Sequence, residues 1–394
     1  MSGEVKQNTS VATGVIATAP SATQSASDPA YNTNPEGVGS EWHNTTSGQI
    51  FICTDATTDL NVWAGQTGGS GSWAASRGLL GGGDGSSDDV IDYIDISSLG
   101  NAIDFGDLTT GRFYMMGVSN QSRAVWAPGY YGGVVTMAMD YVTIDTPGNA
   151  STFGNFTVPP FCTSGGHTAG KNYGAGACSN ANNDRGLFFG GSAWTDKCNT
   201  IAYITISSTG NTTDFGDMTG SRPYNTYLSG ASNGTNDRGL MIGGYGATTT
   251  SGSVANVQSI EYVTITSTGN SANFGDMITA RRNPAATSSG PNERCVIGGG
   301  HTTTPDAATN IIEYITINST GNGTDFGDLL SAGNNGSGIA TSNGLGERAV
   351  WMGGASTSNV IQYVAMSSPG DAQDFGDLTI GRSSGAAVSD ANTG

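Results

Sequence analysis

One pattern occurs six times in this chain, and it constrains the fold more than any other feature. An apolar run closed by glycines is followed by a tyrosine-centred strand and then by a Phe-Gly element. The tyrosines are Tyr93, Tyr141, Tyr203, Tyr262, Tyr314 and Tyr363. Phe105, Phe153, Phe215, Phe274, Phe326 and Phe375 follow them, each at a distance of 12 residues. Successive tyrosines lie 48, 62, 59, 52 and 49 residues apart. A unit of that length suits about four strands, and a repeat that cannot bury its own apolar face must stack on its neighbours.

The residue types around each tyrosine predict strands. Tyr203-Ile204-Thr205-Ile206-Ser207 and Tyr262-Val263-Thr264-Ile265-Thr266 alternate and are rich in β-branched side chains. Ser-Thr-Gly-Asn at 208 to 211, 267 to 270 and 319 to 322 reads as a hairpin turn whose Gly and Asn tolerate positive φ. The phenylalanine then packs one unit on the next. Arginine opens the glycine-closed runs at 77 to 83, 185 to 191, 238 to 244, 294 to 300 and 348 to 354, with a degenerate copy at Arg123. Arg112, Arg222, Arg281, Arg282 and Arg382 follow the Phe-Gly elements, so all eleven arginines recur with the repeat. Such placement argues for scaffolding, each planar fork holding neighbouring aspartates and backbone carbonyls.

The chain ends with Arg382-Ser-Ser-Gly-Ala-Ala-Val-Ser-Asp, which matches the first strand of a unit and lacks the remainder; the remainder begins at Arg77. A C-terminal strand completing the sheet begun near the N-terminus removes exposed edges. The expected fold is therefore all-β, a six-bladed β-propeller over 77 to 394. In their order of double glycine, tyrosine and later aromatic, the units resemble kelch repeats, with Phe where the kelch pattern has Trp.

Ahead of the repeats, residues 1 to 33 are rich in Ser, Thr, Ala and Asn without periodicity and are expected as an extended or partner-ordered arm. Residues 34 to 66 read as a small β module around Trp42 and Trp63, and 67 to 76 as a linker. The series Gly39-Ser-Glu-Trp42, Thr46-Ser-Gly48, Cys53-Thr-Asp55 and Val62-Trp63 resembles a module near the N-termini of tailed-bacteriophage structural proteins, including tail fibres. That resemblance implies docking to other virion proteins through residues 1 to 66, in multiple copies on a symmetric mount, with the protein made in the host cytoplasm.

Composition narrows the function. Glycine is 62 of 394 residues and charged residues are 12%, against roughly 7% and 25% in ordinary chains. A net charge of -18 repels a phosphate backbone, so nucleic-acid binding is not expected. The five cysteines show no Cys-x-x-Cys spacing and read as mostly free. Neither an apolar signal segment nor a stretch long enough for a membrane span is found.

Catalytic chemistry finds little footing. The Asp-Phe-Gly-Asp copies lack every companion of the kinase motif, and each offers two carboxylates where calcium takes six to eight oxygens. Three scattered histidines, His43, His167 and His301, do not make a metal site. With no nucleophile elbow, His-Glu-x-x-His or P-loop in the sequence, no catalytic residue, metal or cofactor is expected.

Binding is expected at one end of the ring. The loops at 156 to 172, 191 to 200, 244 to 259 and 299 to 311 share an end and vary, whereas the opposite turns are nearly uniform. These loops carry Phe161, His167, Trp194, Tyr245 and His301, suited to stacking on sugars or inserting into a protein. The expected function is a non-enzymatic phage virion protein, a tail fibre or other appendage, that binds a host-surface glycan or protein or another virion protein. A kelch-type interaction adaptor is the alternative, and a glycan-active enzyme is a further one.

Overall fold

The computed structural model describes residues 22–27, 29, 32–45, 50–58, 61–65, 77–84, 88–131, 134–157, 174–193, 196–197, 199–219, 226–247, 254–303, 305–332, 339–346, 348–354 and 357–391. The chain divides into two compact units, Met1–Ala74 and Ala75–Gly394.

In the first unit, strands β1 (Thr23–Ser25), β2 (Glu41–Asn44), β3 (Ile50–Asp55) and β4 (Val62–Gly65) form one sheet in that order. β1 pairs parallel to β2, with Thr23 opposite Trp42, and the other pairs are antiparallel. This corrects the arm boundary, because part of the segment assigned to a partner-ordered arm is a strand of the module's own sheet. The Trp42 indole N–H donates to the Ser27 carbonyl at 2.8 Å and fixes the chain leading out of β1. Among the described residues the buried centre consists of Phe51 and Cys53, with Trp42 packed against them half-buried; the Trp63 side chain lies outside what is described.

The second unit holds six four-stranded antiparallel sheets. The first joins the C-terminal strand Ala386–Ser389 to β5 (Arg77–Gly81), β6 (Val90–Asp95) and β7 (Ile103–Asp107). The C-terminal strand therefore pairs with the run at Arg77, as the offset ends predict. The degenerate copy at Arg123 forms a full strand, Arg123–Trp126, in which Ala127-Pro128-Gly129 replaces the paired glycines. Elsewhere both glycines take positive φ, as at Gly82 (58°) and Gly83 (128°). A Cβ on Gly82 would lie 2.5 Å from the Arg112 carbonyl oxygen, so the close approach of the incoming link requires glycine there.

In each sheet the pairing slips by one residue at the Phe-Gly element. Ile91 faces Gly106 while Asp92 faces Asp104, which leaves Phe105 as the extra residue of a β-bulge. The same slip recurs in the other five sheets. A bulge re-aims a side chain, and here it turns each phenylalanine into the core. The Tyr–Phe rings meet edge to face at 6.0–6.2 Å in all six sheets. Phe105 packs with Val142 and Ile144 of the next sheet, as expected of a residue that joins neighbours.

Two hydrogen-bonded seams run around the whole set. The Arg77 guanidinium lies over its own Tyr93 ring at 4.8 Å and donates to the Ile144 carbonyl of the next sheet at 2.7 Å. Arg123, Arg185, Arg238 and Arg294 repeat this onto Ile206, Ile265, Ile317 and Met366. Arg348 completes the circuit by returning to the Ile96 carbonyl of the first sheet at 2.6 Å. In the second seam, Gly148 donates to the Phe105 carbonyl and the Asn149 side chain accepts from the Asp107 amide. The asparagine of the Ser-Thr-Gly-Asn turn thus acts through its side chain. None of these turn asparagines has positive φ.

The innermost strands line a narrow axial gap with small residues, Gly117, Gly176, Gly230, Ala286, Ala340 and Ala387, one from each sheet. Cys53, Cys178 and Cys295 are buried, and Cys178 and Cys295 are free thiols. Burial pushes the Cys178 thiol up to about 12 and the Cys295 thiol up as well. Since the thiolate is the reactive form, iodoacetamide at pH 8 is expected to leave both unlabelled in the folded chain and to label both in urea. Peptide mass spectrometry reads the outcome, and labelling of either one in the folded protein would contradict this packing.

Candidate binding site

In a four-stranded antiparallel repeat, the second-to-third-strand connections and the links between sheets emerge together at one end. At the other end the third-to-fourth-strand turns, 96 to 102, 144 to 150, 206 to 212, 265 to 271, 317 to 323 and 366 to 372, are all of one length. The first-to-second-strand turns at that same end span 5 residues, except for 120 to 122 in the second sheet, so the larger variation lies at the first end. Among the described residues, three connections there carry an added hairpin, of which Tyr245–Ala247 with Val254–Asn256 has the longest strands.

Two of the expected site residues come together at this end. Tyr245 lies under the Arg282 guanidinium at 5.8 Å, and Arg282 and His301 exchange backbone hydrogen bonds as an isolated bridge. Asp306 accepts from Arg282 Nη2 at 3.2 Å and lies 2.8 Å from His301 Nδ1. The same ring nitrogen is 3.0 Å from the Thr302 carbonyl. Two oxygen neighbours on Nδ1 suit a proton on that nitrogen. Phe161, His167 and Trp194 lie outside the described residues.

The bridge at Arg282 is one of four of a kind. Phe113 pairs with Tyr130, Thr226 with Tyr245, and Ser383 with Asp84. In each case a link residue ties itself outward to a connection, and the next residue turns to positive φ: Tyr114 (55°), Tyr227 (60°), Asn283 (52°) and Ser384 (58°). Gly174 takes the same conformation at 65°. These residues bond inward to one another. Tyr114 donates its backbone N–H to Ser384, Gly174 to Tyr114, Tyr227 to Gly174 and Asn283 to Tyr227. An arc of left-handed backbone thus runs along the mouth of the axial gap through five links; residues 333 to 338, in the sixth, lie outside the described residues. Strain of this sort in bulky residues persists only where surroundings over-determine it, and it concentrates at binding sites.

Aromatic rings gather along part of the arc. Phe113 contacts Tyr114 at 5.0 Å and Tyr130 at 5.4 Å, and Tyr114 contacts Tyr227 at 5.6 Å. A Cβ on Gly174 would lie 3.0 Å from the Tyr227 ring, so glycine there lets the two tyrosines meet. Sequence reasoning missed Phe113, Tyr114 and Tyr227 and assigned Arg282 to scaffolding. The one local signal was their place in the links after the Phe-Gly strands, with Phe113 and Arg282 directly behind Arg112 and Arg281.

Beneath the arc lie three buried ion pairs: Arg112 with Asp140 at 3.0 Å, Arg382 with Asp92 at 2.8 Å, and Arg281 with Glu313. Burial draws each guanidinium below its usual range, and the facing acid opposes that shift. Among the described residues, no group of three or more His, Cys, Asp or Glu side chains is placed to hold a metal ion. What the mouth offers is aromatic surface, an amide, a hydroxyl and a paired Arg–Asp, a set suited to binding. No family model matches the chain, and no curated protein matches it.

Proposed function

We propose that residues 77 to 394 form a six-bladed, kelch-like β-propeller, and that the chain is a non-enzymatic structural protein of a tailed-phage virion. It docks through its N-terminal unit and turns the end carrying Tyr245, Arg282, His301 and Asp306 toward a host surface or another virion protein. The supporting observation is the division of labour in the chain. The stretch that resembles phage N-terminal modules is a small sheet within a compact unit of its own, Met1–Ala74. The six-sheet unit supports a binding role, because its recurrent arginines and acids are engaged in seams between sheets. Mass spectrometry of purified particles from the source culture tests this. Peptides of the chain are expected at the abundance of other structural proteins, and their absence from well-covered particles would overturn the virion role.

A further inference from the structure

From the arc and the rings seated on it, we infer that the axial mouth is a binding site for a neutral saccharide, with Tyr114 and Tyr227 as its apolar floor and Asn283 and Ser384 as its polar rim. This deepens the proposed function, because it rests on that end of the protein being the binding end.

The site is amphipathic along the arc. Tyr114 and Tyr227 meet at 5.6 Å across Gly174, with Phe113 behind Tyr114. Both tyrosines are half-buried, so part of each remains open to solvent. Asn283 and Ser384 flank the tyrosines at the two ends of the arc, joined to Tyr227 and Tyr114 by backbone hydrogen bonds, and the Asn283 side-chain oxygen, Oδ1, is buried without a hydrogen-bond partner. A buried acceptor of this kind is costly unless something donates to it. A pyranose supplies what both halves lack: an apolar face of C–H groups for an aromatic surface and hydroxyls for an amide oxygen.

Two observations favour a saccharide over a peptide and a neutral one over an acidic one. The arc's backbone amides at 114, 174, 227 and 283 are spent on its own carbonyls, which leaves those donors closed to a peptide strand adding at the mouth. Arg112, Arg281, Arg282 and Arg382 are each engaged by a carboxylate of this chain, and the net charge is -18, so an anionic sugar meets repulsion without a counter-charge.

The backbone conformation supplies the test. Tyr114, Tyr227 and Asn283 all sit at φ values that glycine adopts freely, so Tyr114→Gly, Tyr227→Gly and Asn283→Gly remove a side chain while the arc keeps its path. The full-length chain is applied to a printed array of neutral hexose and N-acetylhexosamine oligosaccharides together with their uronate- and sialate-bearing counterparts. Binding is expected to neutral members. Tyr227→Gly and Asn283→Gly are each expected to weaken it about tenfold or more, with melting temperatures within about 3 °C of the parent. Binding only to acidic glycans, no binding at all, or binding unchanged in the two variants would overturn the assignment. So would attachment to host cells that survives periodate, which destroys vicinal diols, but not protease, since the receptor is then a protein. The array result does not depend on the virion assignment, and particle mass spectrometry does not depend on the sugar, so the two ideas can fail separately.

Discussion

A chain stopped after Ser384 is expected to lose cooperative folding or to melt at least 10 °C below the full-length protein. The missing strand, Ala386–Ser389, is the edge strand of the first sheet next to β5, and its loss strips β5 of that partner. Val388 and Ala386 leave a cluster that includes Leu79, Phe105 and Trp126. Burying a side chain such as Val388 is by itself worth about 1.5–3 kcal/mol. The Trp126 indole loses the Ala386 carbonyl that accepts its N–H at 3.0 Å, and the buried Ser119 hydroxyl loses the Ser389 carbonyl at 2.7 Å. Each such donor, left buried and unpaired, costs about 1–3 kcal/mol. β5 then becomes an exposed, apolar edge strand, the kind of edge that aggregates. Thermal unfolding with light scattering reads the outcome. Adding a peptide of residues 383 to 394 is expected to restore part of the lost melting temperature. A truncated chain that melts within about 2 °C of the parent would mean that the sheets hold together without closure.

Much of this architecture was legible because its determinants are local and repeated. A tyrosine on one strand and a phenylalanine 12 residues on, with a turn between, specify a hairpin whatever surrounds them. The C-terminal half-unit specifies its partner because only the run at Arg77 lacks a first strand. The bulge was not legible, since a one-residue slip at Phe105 leaves the same alternation of residue types on either side. Nor was the role of Asn149 and its equivalents, because a turn asparagine suits positive φ and side-chain acceptance equally well until the neighbouring sheet is in place. The site divides in the same way. Tyr245 and His301 stood out as conspicuous residues in variable loops. Tyr114, Gly174, Tyr227, Asn283 and Ser384 did not, because only the packing of the sheets brings residues from five separate links onto one arc. Thr23–Ser25 was hidden for a similar reason: its strand character depends on β2 rather than on its own polar sequence.

Replacing Glu313 by Ala is expected to cost about 3–5 kcal/mol, because it leaves the fully buried Arg281 guanidinium without its counter-charge. Arg281 also donates to the Gly299 and Ile311 carbonyls at 2.8 and 3.0 Å, and Glu313 accepts the Ile278 amide, so the pair is built into the junction of two sheets. The other repeats show the rule at work. The position before the tyrosine is acidic at Asp92, Asp140, Glu261 and Glu313, and the preceding link carries Arg382, Arg112, Arg222 and Arg281 respectively. Where the link has no arginine, the position is Ala202 or Gln362, and Gln362 still accepts a link amide, from Leu330 at 2.8 Å. The double variant Arg281→Met with Glu313→Gln copies the Gln362 arrangement, and it is expected to recover most of the loss, since a neutral, packed replacement of a buried pair is often tolerated. The single variant Arg281→Met carries a pH signature. Burial already pushes the Glu313 carboxyl up, with Arg281 the first of the groups holding it down. Without that arginine the folded-state value rises further above the unfolded value of about 4.3. An acid whose folded pKa is raised stabilises the fold while protonated, and that contribution is lost as pH rises through the folded pKa. Arg281→Met should therefore fall further below the parent at pH 8 than at pH 5 in urea unfolding, while the double variant shows no such trend. A Glu313→Ala loss below about 1 kcal/mol, or an Arg281→Met deficit that does not grow with pH, would show that the junction is held by packing and that the pair adds little to it.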